Sequence, residues 1–293
     1  MKNVRILHNP ESGDSLYRKE TLAAICEKYG LIWSYYSLKE PGWDQYSEED
    51  EILLLCGGDG SVQKVLESLL EKDLTIPIAL IPGGTANNIS RSLPKYSFEN
   101  FNAASGWIPK LDYGIVSGCS PTPFFIESYG IGLLPQLIKK MSDYPSDGMN
   151  SHEKIETARK ELLQITQEYP GFRCQISTDE GVFQDHYLLV EVLNTPHVGP
   201  NLILVDDCNP TDGKLNLVTV SVAERADFEA YLSAVMDGQP SAYRPTSILT
   251  KQLNIKWESG PVHADDEPFN KTSEGACTIQ LQPEMFPIFV VKT

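Results

Sequence analysis

The sequence predicts an α/β domain on an open parallel sheet, followed by a β-sandwich domain, with a cleft between them of the kind that favours a ligand. Three observations carry this. Nearly all-apolar runs at 51–56 and 76–81 read as parallel strands covered on both faces. Amphipathic runs alternate with them over the first hundred or so residues. From Leu111 onward, short strand-like segments take over, punctuated by Gly, Pro, Asn and Asp.

Taken in order, KNVRILH (2–8) reads as a short strand opening into the turn-prone NPESG. Tyr17 to Tyr29 carries Leu22, Ile25 and Cys26 at helical spacing, and Trp33 to Leu38 suits a second strand. Glu51 to Cys56 forms the next strand. Ser61 to Lys72 sets Val62, Val65, Leu66, Leu69 and Leu70 on one stripe, which predicts a helix. IPIALI then ends in PGG, and Thr85 to Leu93 reads as helix. Beyond Leu111, YGIVSG, PFFIESYG, FRCQIST, HYLLVEVLN, KLNLVTVSV, QLNIKWES, CTIQLQ and FPIFVVK read as mostly antiparallel strands. Helical runs interrupt them near 131–141, 151–168 and 224–236. The domains fall at 1–115 and 116–283, with 284–293 returning to the first.

Composition narrows the function. A net charge of -16 opposes nucleic-acid binding, which needs a basic face, and strong nonspecific attraction to anionic membranes. Local basic patches remain, for example around Arg18, Lys19, Lys139 and Lys140. No run approaches the length of a transmembrane segment, and the N-terminus shows no cleavable signal, so a cytoplasmic protein is expected. Six scattered cysteines without a CxxC pair read as buried free thiols.

The chemistry concentrates in two loops. In GGDGSVQKVL, glycines tolerate positive φ and let backbone N–H groups approach a ligand, and Ser61 is placed to cap the following helix. A helix N-terminus there suits an anion. Asp59 fits such a site only by tying the loop through hydrogen bonds or by meeting a phosphate-bound metal. The second loop, PGGTANN, repeats the design with Thr85, Asn87 and Asn88. An ordinary strand-to-helix turn is the alternative for either loop alone, and their repetition favours one shared crevice at the strand ends. Neither loop is a Walker A or GxGxxG motif.

GGDG before a helix, then PGGTANN after the next strand, resembles the diacylglycerol kinase catalytic domain family. That family includes bacterial lipid kinases and the sphingosine and ceramide kinases, and is distantly similar to NAD kinases. HNPESG, LDYG (111–114), FFIESYGIG, NTPHVGPNL, NPTDGKLNL and HADDEPF follow in the family's order, so the resemblance covers nearly the whole chain. It implies an ATP- and Mg²⁺-dependent kinase that transfers the γ-phosphoryl group to the hydroxyl of diacylglycerol or a related lipid alcohol. The substrate would be met at the membrane surface, with the protein peripheral at the inner face. A homodimer is compatible with this reading.

Carried over by motif, the resemblance makes Asn9, Ser12, Gly57, Gly58, Asp59, Gly60, Ser61, Gly83, Gly84, Thr85 and Asn87 ATP-binding. It makes Glu267 the general base and Asp112 its support in a catalytic polar network. Asp212, with carbonyls at Asn209 and Lys214, would hold a second Mg²⁺. A solvated acidic turn is the alternative for Glu267, and a plain Asp-Gly turn for Asp212. His197 and His263 receive no role. Four departures stand out: Ser61 replaces a threonine, Gln63-Lys64 replaces an Asn-Glu pair, Asn88 replaces an aspartate, and Asp266 stands where glycine is usual. If that last backbone needs positive φ, aspartate is among the better substitutes. An NAD kinase-like enzyme, or a catalytically weakened nucleotide- or lipid-binding relative, stays open.

Overall fold

The computed structural model describes residues 2–97, 108–145, 148–269 and 274–292. Met1 and Thr293, the outer ends of the expected domain ranges, lie outside them. In chain order the first elements are β1 (Asn3–His8), α1 (Lys19–Lys28), β2 (Ile32–Ser37), β3 (Ile52–Gly57), α2 (Asp59–Glu71), β4 (Ile78–Pro82), α3 (Asn88–Ser92) and β5 (Lys95–Tyr96). Next come β6 (Lys110–Gly118), β7 (Phe124–Phe125), β8 (Ser128–Gly132), α4 (Leu133–Ser142), α5 (Ser151–Glu168), β9 (Phe172–Thr178) and β10 (Gly181–Leu193). The remainder are β11 (His197–Val198), β12 (Leu202–Ile203), β13 (Leu215–Ser221), α6 (Arg225–Met236), β14 (Thr246–Thr250), β15 (Gln252–Trp257), β16 (Val262–Ala264), β17 (Glu267–Phe269) and β18 (Gly275–Val291). The chain divides into two compact units, Met1–Leu111 with Glu284–Thr293, and Asp112–Pro283.

In the first unit the sheet order is β2-β1-β3-β4 and then the end of β18, all parallel. Every residue of β3 is buried, which explains its unbroken apolar letters. Val4, Ile6, Ile52, Leu54 and Cys56 pack with Leu22 and Cys26 of α1 in one core. Leu53 and Leu55 alternate to the other face, and α2 buries its stripe of Val62, Val65, Leu66 and Leu69 as it packs on β3. An ion pair is nearly inaccessible here: Arg5, on β1, pairs with Asp50 at 3.0 Å and stacks on the Tyr36 ring at 3.7 Å.

The second unit is mostly antiparallel. Its path runs β17-β16-β8-β10-β9-β15 and into the first half of β18, while β13 pairs with β10 and β14 with β13. One core gathers the inward residues of β9, β10, β15 and β18. A second packs α4, α5 and α6 against β10 and β13 through Leu134, Leu162 and Phe228. None of the described helices is long and apolar enough to cross a membrane.

Three local expectations change. CTIQLQ and FPIFVVK belong to one 17-residue strand, antiparallel to β15 at its start and parallel to β4 at its end, with Glu284 at φ +56 between the two parts. PFFIESYG splits into β7 and β8, because the N–H groups at 126–128 turn to a side chain instead of a neighbouring strand. The helix expected over Thr85–Leu93 shrinks to Asn88–Ser92, since Asn87 takes the left-handed conformation at φ 54.

Candidate active site

Three loops leave the C-terminal ends of β1, β3 and β4 and meet backbone to backbone. A Cβ on Gly84 would lie 2.3 Å from Gly58 Cα, and one on Gly13 would lie 2.4 Å from the Gly83 carbonyl oxygen. A Cβ on Gly57 would strike the Ser61 side chain at 2.5 Å. The expected reason for these glycines therefore needs correcting. Of the loop glycines, Gly13 alone takes positive φ, while Gly57, Gly58, Gly60, Gly83 and Gly84 do not. Gly58 and Gly84 are glycine because each other's backbone fills the space of a side chain, and Gly57 because the Ser61 side chain does. Gly60 differs, with nothing near its missing Cβ.

Ser61 does not cap α2. The cap is Gly58, the helix begins at Asp59, and the buried Ser61 hydroxyl accepts from Asn9 Nδ2 at 3.2 Å. Asp59 ties the loops together: its carboxylate oxygens accept the Asn88 and Ile89 N–H groups, each at 3.0 Å. That is a charge-assisted anchor on the first turn of α3. Asn87 closes its own loop, accepting from Gly84 N at 2.8 Å and donating to Gly84 O at 2.7 Å. The side chains of Asp59, Ser61 and Asn87 thus act within the protein. Among the described residues, the half-buried Ser12 and Thr85 hydroxyls and the exposed Gly60 N–H have no protein partner. Lys64, one of the departures, donates to the Leu38 carbonyl at 2.7 Å and lies over the Trp43 ring. Arg18 and Lys19 are exposed, and Arg91 Nε donates to Ala86 O at 3.0 Å.

In the second unit, Asp112 is fully buried and its carboxylate accepts the Gly213 N–H at 2.8 Å, fixing the Asp212-Gly213 turn. Asn194 donates from Nδ2 to both Asp112 O and Ile126 O at 2.8 Å. Asp265 then accepts the N–H groups of Ile126, Glu127 and Ser128. One polar network therefore joins LDYG, NTPHVG, TDGK and HADDE. Asp212 Oδ1 accepts the Lys214 N–H at 3.0 Å, and Asn209 Oδ1 accepts from Thr211. Among the described residues no group of three His, Cys, Asp or Glu side chains is arranged to hold a metal ion.

Glu267 opens β17 directly after the Asp265-Asp266 turn, and Ala264 pairs with it across that turn. Its carboxylate is exposed and has no partner among the described residues. Positive φ falls at Asp265 (φ 50) rather than Asp266. The residue standing where glycine is usual therefore meets no left-handed backbone. Burial pushes the Asp265 carboxyl up to about 7 while its three N–H donors pull the other way.

His263 proves to be central to this turn. It is buried, with Nδ1 at 2.6 Å from Asp265 O and Nε2 at 3.0 Å from Glu191 Oε1. The signal was a lone glutamate inside the apolar run YLLVEVL and a glycine inside SYGIG.

Several known proteins are similar to this chain. Residues 3–112 match the model of the diacylglycerol kinase catalytic domain. "Putative lipid kinase SAS0691" of Staphylococcus aureus strain MSSA476 is 28% identical over 195 residues, covering 66% of this chain and 61% of that protein. A strain JH9 counterpart is 27% identical over the same span. The chain thus spans about 61% of the length of the curated relatives it matches. A crystal structure titled a putative diacylglycerol kinase, from Bacillus anthracis strain Sterne, superposes with a TM-score of 0.70 at 20% identity, covering 98% of this chain and 95% of that one. A further structure from the same strain gives 0.66 at 19% identity, covering 98% and 96%. Residues 3–112 are therefore similar to the diacylglycerol kinase catalytic domain, and the whole chain shares the fold of these structures.

Proposed function

We propose that the protein is an ATP- and Mg²⁺-dependent lipid kinase that phosphorylates the hydroxyl of diacylglycerol or a related lipid alcohol. The observation that carries the reading is the convergence of the Asn9–Ser12, Gly57–Ser61 and Gly83–Asn87 loops on one edge of a parallel sheet. Such an edge favours phosphate, because α2 begins there and offers the unpartnered Gly60 N–H. The Ser12 and Thr85 hydroxyls supply further donors. The donor set suits a nucleotide triphosphate. Asp59 already serves the Asn88 and Ile89 amides, so Mg²⁺ would be held mainly through phosphate oxygens and water, as a small hard cation is. When bound, it would neutralise phosphate charge.

Glu267 is the group we assign to take the proton of the attacking lipid hydroxyl. Its carboxylate is exposed, unpartnered and carried on a turn braced on both sides. Asp112 acts through others, holding Gly213 and, by its carbonyl, Asn194. In the same reading Asp212, with carbonyls of Asn209 and Lys214, forms a structural cation site. The lipid acceptor would be met at the inner membrane face, with no spanning helix needed.

The test is transfer of labelled phosphate from ATP, with Mg²⁺, to diacylglycerol, other lipid alcohols and NAD, with Glu267→Gln beside the wild type. Transfer to lipid that the variant loses supports the reading. Transfer to NAD alone, or nucleotide binding without turnover, overturns it.

A further inference from the structure

Glu191, Gly130 and His263 stand in one row across three neighbouring strands, since Glu191 pairs with Gly130 and Gly130 with His263. The middle residue has no side chain, and the space is used. A Cβ on Gly130 would lie 1.9 Å from Glu191 Oε1. Through that gap Glu191, wholly buried, passes its carboxylate to His263 at 3.0 and 3.2 Å.

The partners fix the proton on one ring nitrogen. Nδ1 faces the Asp265 carbonyl oxygen, which can only accept, so Nδ1 carries a hydrogen. Nε2 faces both oxygens of a carboxylate, which also accepts when ionised. With Glu191 ionised, the ring is an imidazolium held between two acceptors. The charged groups that face it are Glu191 from β10 and Asp265 and Asp266 from the turn. β8 presents Gly130 there, and β17 presents Pro268.

We propose that the buried Glu191–His263 pair is a positioning device for Glu267. The imidazolium grips the Asp265 carbonyl and holds the left-handed turn, so the following carboxylate keeps its aim. The inference rests on the reading of Glu267 as base. It explains a buried charge pair that packing alone does not require, because ion pairs in an apolar core seldom add net stability.

The experiment follows the imidazole ring nitrogens of the intact protein by NMR from about pH 6 to about pH 9, beyond the range where free histidine is charged. Both nitrogens should stay protonated well above the ordinary midpoint. In Glu191→Gln the Nε2 proton should be lost over this range, with the Asp265, Asp266 and Glu267 amide signals moving. Both Glu191→Gln and His263→Gln should lower kcat on the order of tenfold to a hundredfold, the scale of a misplaced catalytic group, with KM for ATP unchanged. Ordinary titration of the wild-type ring, or unmoved turn amides in Glu191→Gln, would overturn the inference. Should the variants not fold, the wild-type titration decides alone. An active Glu267→Gln would sink the base reading and leave the ring and amide results standing, so the two failures are distinguishable.

Discussion

Asp59 Oδ2 accepts the Asn88 backbone N–H at 3.0 Å, and so a carboxylate in the first glycine loop seats the second. Its other oxygen takes the Ile89 N–H. An acidic residue inside a phosphate-binding loop is awkward when read alone, and the geometry gives it work that needs no ligand. Asp59→Asn should lower unfolding free energy by about 1.5–3 kcal/mol, the range for hydrogen bonds to a charged group. Urea denaturation followed by fluorescence measures it, and an unchanged midpoint would remove the anchor role.

Gly84→Ala and Gly60→Ala should part company. The first pushes a methyl into Gly58 Cα, backbone against backbone, and neither loop can give way cheaply. It should destabilise by about 1–3 kcal/mol, as overpacking does, and weaken ATP binding. Gly60 sits in the first turn of α2 with open space around it, so alanine there should raise stability by up to about 1 kcal/mol. Thermal melts and nucleotide titration of both variants test the pair.

Glu267→Gln should leave stability within about 0.5 kcal/mol of wild type, because the carboxylate is exposed and unpartnered. The same change should cost about a hundredfold or more in lipid phosphorylation, as removal of a general base does. A large loss of stability would mean that the side chain braces the turn instead.

Arg5 and Asp50 make the opposite case. Both are nearly inaccessible, and removing one strands the other's charge. Asp50→Asn should destabilise by about 3–5 kcal/mol, far more than a surface pair would, and equilibrium unfolding in urea reads it directly.

Two histidines should bend the pH–stability curve in opposite directions. The Glu191 carboxylate and the Asp265 carbonyl raise His263 above the ordinary 6.5 despite burial. Its stabilising contribution is complete below pH 6.5 and is lost as pH rises through the raised value, because the folded state then binds the extra proton. Burial lowers His8 below 6.5, so its contribution is lost as pH falls below 6.5. Unfolding measured from about pH 6.5 to about pH 9 should show the His263 limb, no steeper than about 1.4 kcal/mol per pH unit. Below pH 6.5 the His8 limb is opposed by Asp265, whose carboxyl, pushed up to about 7, loses its contribution as pH rises. His263→Gln should flatten the alkaline limb alone.

The first unit was legible where local rules suffice. β3 announces itself by an unbroken apolar run, and α2 by its stripe. Other features depend on pairings that letters do not display. Nothing in DDE says which aspartate takes positive φ, since that follows from three amides 137 to 139 residues away. CTIQLQ and FPIFVVK read as two strands, yet they are parts of one, β18, each pairing with its own neighbours. Glu191 and His263 are 72 residues apart, and the glycine between them is meaningful only once the register is known.

The long final strand has a consequence for synthesis. Ile288 to Val290 pair with β4, so the fifth parallel strand of the first unit leaves the ribosome after the entire second unit has been made. The segment matched by the catalytic-domain model, residues 3–112, is therefore a sheet with one lateral edge of β4 unpaired until residue 290 emerges. A nascent chain arrested before Ile288 should remain sensitive to protease in β4, and the ordering of the phosphate-binding edge becomes a late event in vectorial folding.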